Sequence, residues 1–83
     1  MNIVIHPHAK ERMSERGIVY QEIVEAIESG EQFAAKYGRT GFRRNFHFGG
    51  IWRGRQYDMK QVEAYVVSEG DSYIVITALA RYY

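Results

Sequence analysis

A histidine and two arginines recur every four residues near the start of the chain. On an α-helix His8, Arg12 and Arg16 would each advance by only about 40°, so one side of the helix would carry an imidazole and two guanidinium groups. An imidazole can move a proton near neutral pH, and guanidinium groups bind phosphate oxygens. The alternative is a solvated helix face, on which Glu15 offsets the repulsion between the two arginines.

A second group of cations lies in the middle of the chain and is interleaved with aromatic residues. From Lys36 to Lys60 seven bases accompany a single acid, Asp58. This pattern is typical of a surface that contacts phosphates and stacks on the bases of single-stranded nucleic acid. The alternative is a half-buried sheet whose rings face the core while its arginines face water. On the first interpretation the RNA-binding residues are Arg39, Arg43, Trp52, Arg53, Arg55 and Tyr82.

The length and composition of the chain exclude several kinds of site. Its 83 residues predict one domain, residues 1–83, and a hydrophobic fraction of 46% is that of a folded protein. The lack of cysteine excludes a disulfide framework, a thiolate zinc site and a cysteine nucleophile. Three histidines without a suitably spaced carboxylate predict no metal, and the usual nucleotide-binding glycine motifs are missing. We expect a cytoplasmic protein with no cofactor and no membrane segment.

Metal-independent cleavage of RNA is the chemistry that a histidine and several cations could perform. The 2′-hydroxyl of the substrate is the nucleophile, a base takes its proton, cations stabilise the phosphoryl oxygens and an acid protonates the leaving 5′-oxygen. The residue types alone do not establish this activity, because many small domains contain them. The candidates are His8 for proton transfer, Arg12, Arg16, Arg43 or Arg44 for charge, and Tyr82 or Tyr83 for a proton or a stacking ring.

Two helices are predicted in the first third of the chain. The segment from Pro7 to Arg16 begins with a proline and is followed by Gly17, which suits a left-handed helix end. A second helix is predicted from Tyr20 to Ser29, before another glycine. Val19 is a poor residue for the start of that helix, because its side chain accepts no hydrogen bond.

The rest of the chain has the alternating pattern of a sheet. Phe42, Arg44, Phe46 and Phe48 share one predicted strand face, and Arg43, Asn45 and His47 share the other. A hairpin turn is predicted at Glu69–Asp71. The segment Phe48–Lys60 is longer than a tight hairpin needs, so it is interpreted as an RNA- or partner-contacting loop or a variable surface. The predicted fold is α+β, with two N-terminal helices packed on an antiparallel sheet of about four strands.

The run from His8 to Ile18, HAKERMSERGI, resembles the H-A-x-x-R-M-x-x-R-G-I signature of a bacterial family called domain of unknown function 4258. The resemblance extends over roughly His8 to Tyr82. It implies the fold of RelE-type toxins and an RNA-cleaving toxin, acting on free RNA or on the ribosome and neutralised by an antitoxin or immunity protein. Matched residue by residue, it implies a catalytic site at His8, Arg12 and Arg16, joined less directly by Arg44 and Thr77.

Three functions therefore stay open. The first is a toxin-like ribonuclease, and the second is a non-catalytic module that binds nucleic acid or protein on the same fold. The third is a sheet-pairing protein that forms a homodimer through a C-terminal edge strand ending at Tyr82 and Tyr83. The first requires His8 and Arg12 or Arg16 to share a concave surface with Arg43 or Arg44. It also predicts that His8→Ala slows cleavage about 10²-fold.

Overall fold

Residues 2–83, the part of the chain that the computed structural model describes, form two helices and a five-stranded sheet. The sheet order is β1-β5-β4-β3-β2, with β1 parallel to β5 and the other neighbours antiparallel. This confirms the predicted α+β class. The sheet has five strands instead of about four, because two strands of four residues are too short to show alternation. In chain order the elements are β1 (Asn2–Ile5), α1 (Pro7–Arg16), α2 (Tyr20–Ser29), β2 (Glu31–Ala34), β3 (Thr40–Trp52), β4 (Arg55–Glu69) and β5 (Ser72–Tyr82), with a 3₁₀ turn at Lys36–Gly38.

Both helices have the predicted bounds, and the capping signals account for both ends of α1 and for the end of α2. The His6 side chain accepts a hydrogen bond from the His8 backbone N–H at 3.1 Å, and Pro7 occupies the first turn of α1. Gly17 ends this helix in the left-handed conformation, with φ of 69°. At the start of α2, where Val19 has no capping oxygen, the Glu22 carboxylate accepts the Val19 N–H at 3.0 Å.

The core lies between the two helices and one face of the sheet. Ile23 of α2 packs with Val62, Val66 and Val75 of the sheet, and all four side chains are fully buried. Alternation along the strands brings every second residue to this face, so the pattern predicted for β3 is confirmed. Within residues 2–83, neither helix is long and apolar enough to span a bilayer.

The segment Phe48–Lys60 is the end of a regular hairpin and not a loop. Arg53 and Gly54 form a two-residue turn with φ of 50° and 78°, the pattern of a type I′ turn that matches the twist of paired strands. A bulge between His47 and Gly50 shifts the register of this hairpin arm. The arm reaches the end of α1, where a Cβ atom on Gly17 would lie 2.5 Å from Cζ3 of Trp52.

The C-terminal strand lies inside the sheet over part of its length. β1 pairs with β5 over Ser72–Val75, so this half is not an edge. Further along, β5 pairs with β4 alone, and the outward Ala78 carbonyl accepts a hydrogen bond from Arg16 at 2.6 Å. The edge predicted to form a homodimer is therefore limited to the last residues of the strand, and the dimer stays a prediction.

Candidate functional site

In the described part of the chain, residues 2–83, one face of the sheet carries no helix. Strand register aligns polar and aromatic side chains across this face. Antiparallel pairing places Phe33, Gly41, Tyr65 and Thr77 in one row across β2, β3, β4 and β5. The neighbouring row is Glu31, Arg43, Glu63 and Leu79, and Arg81 lies diagonally beside Glu63. We call this surface, defined by Phe33, Arg43, Glu63, Tyr65 and Arg81, the open face.

A buried carboxylate lies near the middle of the open face. The Glu63 side chain is only 5% exposed, and its two oxygens accept hydrogen bonds from the Tyr65 hydroxyl at 2.6 Å and from Arg81 Nε at 3.0 Å. Burial alone would raise the pKa of Glu63, but these two hydrogen bonds and the charges of Arg81 and Arg43 together hold it below 4.5. Burial, reinforced by the hydrogen bond to Glu63, raises the pKa of Tyr65 above 10.0. The pair is thus an ionised carboxylate beside a protonated phenol.

Arg43 forms the outer part of the same cluster. Its Nε donates to the Glu31 carboxylate at 2.8 Å, and its guanidinium carbon lies 4.4 Å from the centre of the Phe33 ring. The Arg43 side chain is 38% exposed and that of Glu31 is 66% exposed, so this ion pair lies in contact with solvent and contributes little to stability.

A glycine makes room for the aromatic part of the open face. A Cβ atom at Gly41 would lie 2.3 Å from Cζ of Phe33, so only glycine lets that ring lie across β3. The Phe33 ring then meets Tyr65 edge-on, with ring centres 6.0 Å apart. The ring therefore braces the side chain that donates to Glu63.

We expect acid to destabilise the protein more than it destabilises a Glu63→Gln variant. The folded pKa of Glu63 lies below its ordinary value of 4.5, so its contribution to stability is present above that pH and is lost as the pH falls through the folded pKa. Thermal unfolding followed by circular dichroism between about pH 6 and about pH 3 measures this difference. Parallel melting curves for the two proteins would contradict the assignment.

The helix residues predicted to be catalytic lie in the helical layer, away from the open face. The His8 side chain is 76% exposed at the start of α1, with Nδ1 3.8 Å from the Glu11 carboxylate. Arg12 pairs with Glu15 at 3.0 Å, also in solvent. Arg16 turns inward and binds the backbone of β5. Their helical spacing is as predicted, but each makes a different contact.

The two adjacent arginines of β3 point to opposite faces of the sheet. Arg44 reaches α2, where its Nη1 lies 3.3 Å from Glu25 and 3.2 Å from the Ser29 hydroxyl. Arg43 faces the other way, onto the open face. Among residues 2–83, no hydrogen bond or ion pair joins either arginine to the predicted helix residues. The structure therefore does not bring together the set that the sequence predicted.

Three residues predicted from sequence to bind RNA make contacts within the fold. The rings of Trp52 and Tyr82 stack with centres 4.8 Å apart, and the Tyr82 hydroxyl donates to the Arg16 carbonyl at 2.7 Å. Arg53 donates to the Glu15 carbonyl at 2.8 Å. These groups satisfy carbonyls that the end of α1 leaves without a helical partner. Of the remaining three residues, Arg43 lies on the open face, Arg55 is exposed near the tip of the hairpin arm and Arg39 lies beside Tyr37.

The open face contains residues that the sequence did not single out, chiefly Glu63, Tyr65 and Arg81. Glu63 and Tyr65 alternate along β4 with the buried residues Val62, Ala64 and Val66, which is a signal for a shared face. The contact of Glu63 with Arg81 depends on the pairing of β4 with β5. Which face of the sheet is exposed depends on where the two helices pack. Neither is visible in a local pattern.

Taken together, the chain is an α+β domain with one helix-covered sheet face and one open face that carries charge and rings. It belongs to the family described as Domain of unknown function (DUF4258), whose family model matches residues 5–80. This confirms the resemblance carried by the α1 signature, whereas the relation to RelE-type toxins stays a prediction. No curated protein and no solved structure matches the chain.

Proposed function

We propose that this protein is a metal-independent ribonuclease that binds single-stranded RNA across the open face. The observation that carries the proposal is the Glu63 carboxylate, held between the Tyr65 phenol and the Arg81 guanidinium. A proton acceptor, a proton donor and a cation thus lie within hydrogen-bonding distance of one another. Arg43 adds a second cation on the same row of the sheet.

The proposed reaction transfers the phosphoryl group within the substrate. Glu63 takes the proton of the ribose 2′-hydroxyl, and that oxygen attacks the adjacent phosphorus while the bond to the 5′-oxygen breaks. Tyr65 gives its proton to the leaving 5′-oxygen and regains one from Glu63 along their hydrogen bond. Arg43 and Arg81 stabilise the charge on the phosphoryl oxygens. The products are a 2′,3′-cyclic phosphate and a 5′-hydroxyl.

This proposal keeps the activity expected from the sequence and moves its site from α1 to the open face. Cleavage of cellular RNA, free or on the ribosome, would take place in the cytoplasm and would be toxic. An antitoxin or immunity protein would then neutralise the enzyme by covering the open face.

Chemical analysis of the products tests the activity. A labelled single-stranded RNA incubated with the protein and a chelator should yield fragments with 2′,3′-cyclic phosphate and 5′-hydroxyl ends. The same sequence with 2′-O-methyl groups throughout is the matched control and should stay intact, because it lacks the nucleophile. Cleavage of both substrates, or of neither at high enzyme concentration, would contradict the proposal.

The second candidate function is binding of RNA without cleavage. It is favoured by the same carboxylate, because a group that is 5% exposed and has a lowered pKa is a weak proton acceptor with little access to a substrate. Tight binding of unmodified RNA without any cleavage would support binding, and not catalysis, as the function.

A pair of adjacent arginine substitutions tests which face binds RNA. We expect Arg43→Gln to weaken binding of an uncleavable 2′-O-methyl RNA about 10-fold, because one charged phosphate contact is lost. The dependence of log affinity on log salt should also fall by about 0.7. Arg44→Gln removes the same charge from the helix-covered face and should change affinity less than about twofold, while lowering thermal stability. Fluorescence anisotropy measures both affinities, and equal losses would contradict binding at the open face.

A further inference from the structure

An exposed tyrosine adopts a backbone conformation that tyrosine rarely adopts. Tyr37 has φ of 61° and ψ of 34°, the left-handed region that glycine, asparagine and aspartate occupy most readily. Its side chain is 86% exposed, so no packing offsets this strain. A strained residue whose ring projects into solvent is typical of a site where the ring meets a ligand.

The ring of Tyr37 lies at the rim of an open groove at one end of the open face. The groove has a volume of about 440 Å³, within the range of sites for small organic molecules. Rings and a hydroxyl from the sheet line one side, and the 3₁₀ turn and the residue after it line the other. The residues concerned are Phe33, Tyr65 and Thr77 from the sheet and Lys36, Tyr37 and Arg39 from the turn.

The charges around this groove favour an anionic ligand with a flat ring. Lys36 and Arg39 line the groove, and no acidic residue among those that the structure describes lines it. The Arg39 guanidinium carbon lies over the Tyr37 ring, 5.7 Å from its centre, so a cation lies against one face of a ring that is 86% exposed. A nucleotide combines a flat ring with a phosphate in the same way.

We propose that this groove is a subsite for one unpaired nucleotide of the RNA, with its base stacked on Tyr37 and its phosphate bound by Lys36 and Arg39. The inference rests on the proposed function and extends it, because Tyr65 belongs both to the groove and to the Glu63 cluster. The nucleotide in the groove is therefore a neighbour of the one that is cleaved. Stacking on an aromatic ring accepts every base, so this subsite positions the strand without strong sequence preference.

Two substitutions at one position separate ligand binding from structural support. Tyr37→Gly removes the ring and relieves the left-handed backbone, so its melting temperature should rise while affinity for a 2′-O-methyl RNA falls about 10-fold. Tyr37→Phe keeps a ring and should bind as the wild type does. An oligonucleotide that lacks the base at one position should bind the wild type less tightly than the intact RNA does. Because that oligonucleotide has no base to stack there, Tyr37→Gly should lower its affinity less than it lowers the affinity of the intact RNA.

The controls distinguish a failure of the subsite from a failure of the proposed function. If Tyr37→Gly binds RNA as tightly as the wild type while Arg43→Gln loses affinity, the subsite is refuted and RNA binding at the open face stands. If the wild type binds no RNA, both are refuted. If Tyr37→Phe loses as much affinity as Tyr37→Gly, or if Tyr37→Gly melts at a lower temperature, the stacking role of the ring is refuted.

Discussion

Glu63→Gln should reduce cleavage of RNA by about 10²- to 10⁴-fold while RNA affinity is kept or slightly improved. The substitution keeps the size of the side chain and an oxygen that can accept from Arg81, but it removes the group that takes the 2′-hydroxyl proton. Because the substitution removes one negative charge from the open face, that face repels the phosphate backbone of RNA less. Single-turnover cleavage rates and anisotropy with the uncleavable RNA measure the two quantities separately.

Two further variants make this result specific. Tyr65→Phe keeps the ring that meets Phe33 and removes the hydroxyl, so it should also slow cleavage. The double variant of Glu63→Gln and Tyr65→Phe should lose little more activity, because the two groups act as a unit.

His8→Ala separates the two proposed locations of the site. The α1 signature predicts a loss of about 10²-fold for His8→Ala, whereas the open face predicts almost none. Loss in His8→Ala with full activity in Glu63→Gln would move the site back to α1.

The second large effect is expected for the stability of the fold. Lys60→Met should lower the free energy of unfolding by about 3 kcal/mol, because it breaks a buried ion pair by removing one partner. The Lys60 side chain is 5% exposed, lies 2.7 Å from the Glu22 carboxylate and also donates to the Gly17 carbonyl. Without it, the largely buried Glu22 carboxylate loses its cation and keeps only the hydrogen bond from the Val19 N–H, and the Gly17 carbonyl loses its lysine donor. Chemical denaturation followed by circular dichroism measures the change.

Matched variants distinguish the ion pair from a general effect of removing a lysine. Lys10→Met removes an exposed lysine from α1 and should change stability by less than about 0.5 kcal/mol. Combining Lys60→Met with Glu22→Gln should recover part of the loss, because no unpaired charge then remains in the interior. A Lys60→Met protein as stable as the wild type would show that the pair contributes nothing.

Local patterns predicted the helices well because helix ends are set by neighbouring residues. The bounds of α1 and α2 follow from Pro7, Gly17 and Gly30, which act within one helical turn. The turn after Glu69 likewise follows from Gly70, which has φ of 58°. The segment Phe48–Lys60 is longer than a tight hairpin needs because β3 and β4 extend through it to the two-residue turn at Arg53 and Gly54, so the prediction of a loop was wrong.

By itself, then, the sequence determined the α+β class, both helices, the family and the opposite orientation of Arg43 and Arg44, because each depends on residues a few positions apart. The tertiary structure alone decided which sheet face the helices cover, and therefore that Arg44 lies against α2 while Arg43 lies on the open face. It also decided that Glu63 meets Arg81, a contact between residues 18 positions apart that exists only in the observed register of β4 and β5. The turn at Gly70 sets the register beside it, but a bulge shifts the pairing by one residue between Val66 and Tyr65, and no local pattern in the sequence marks that bulge.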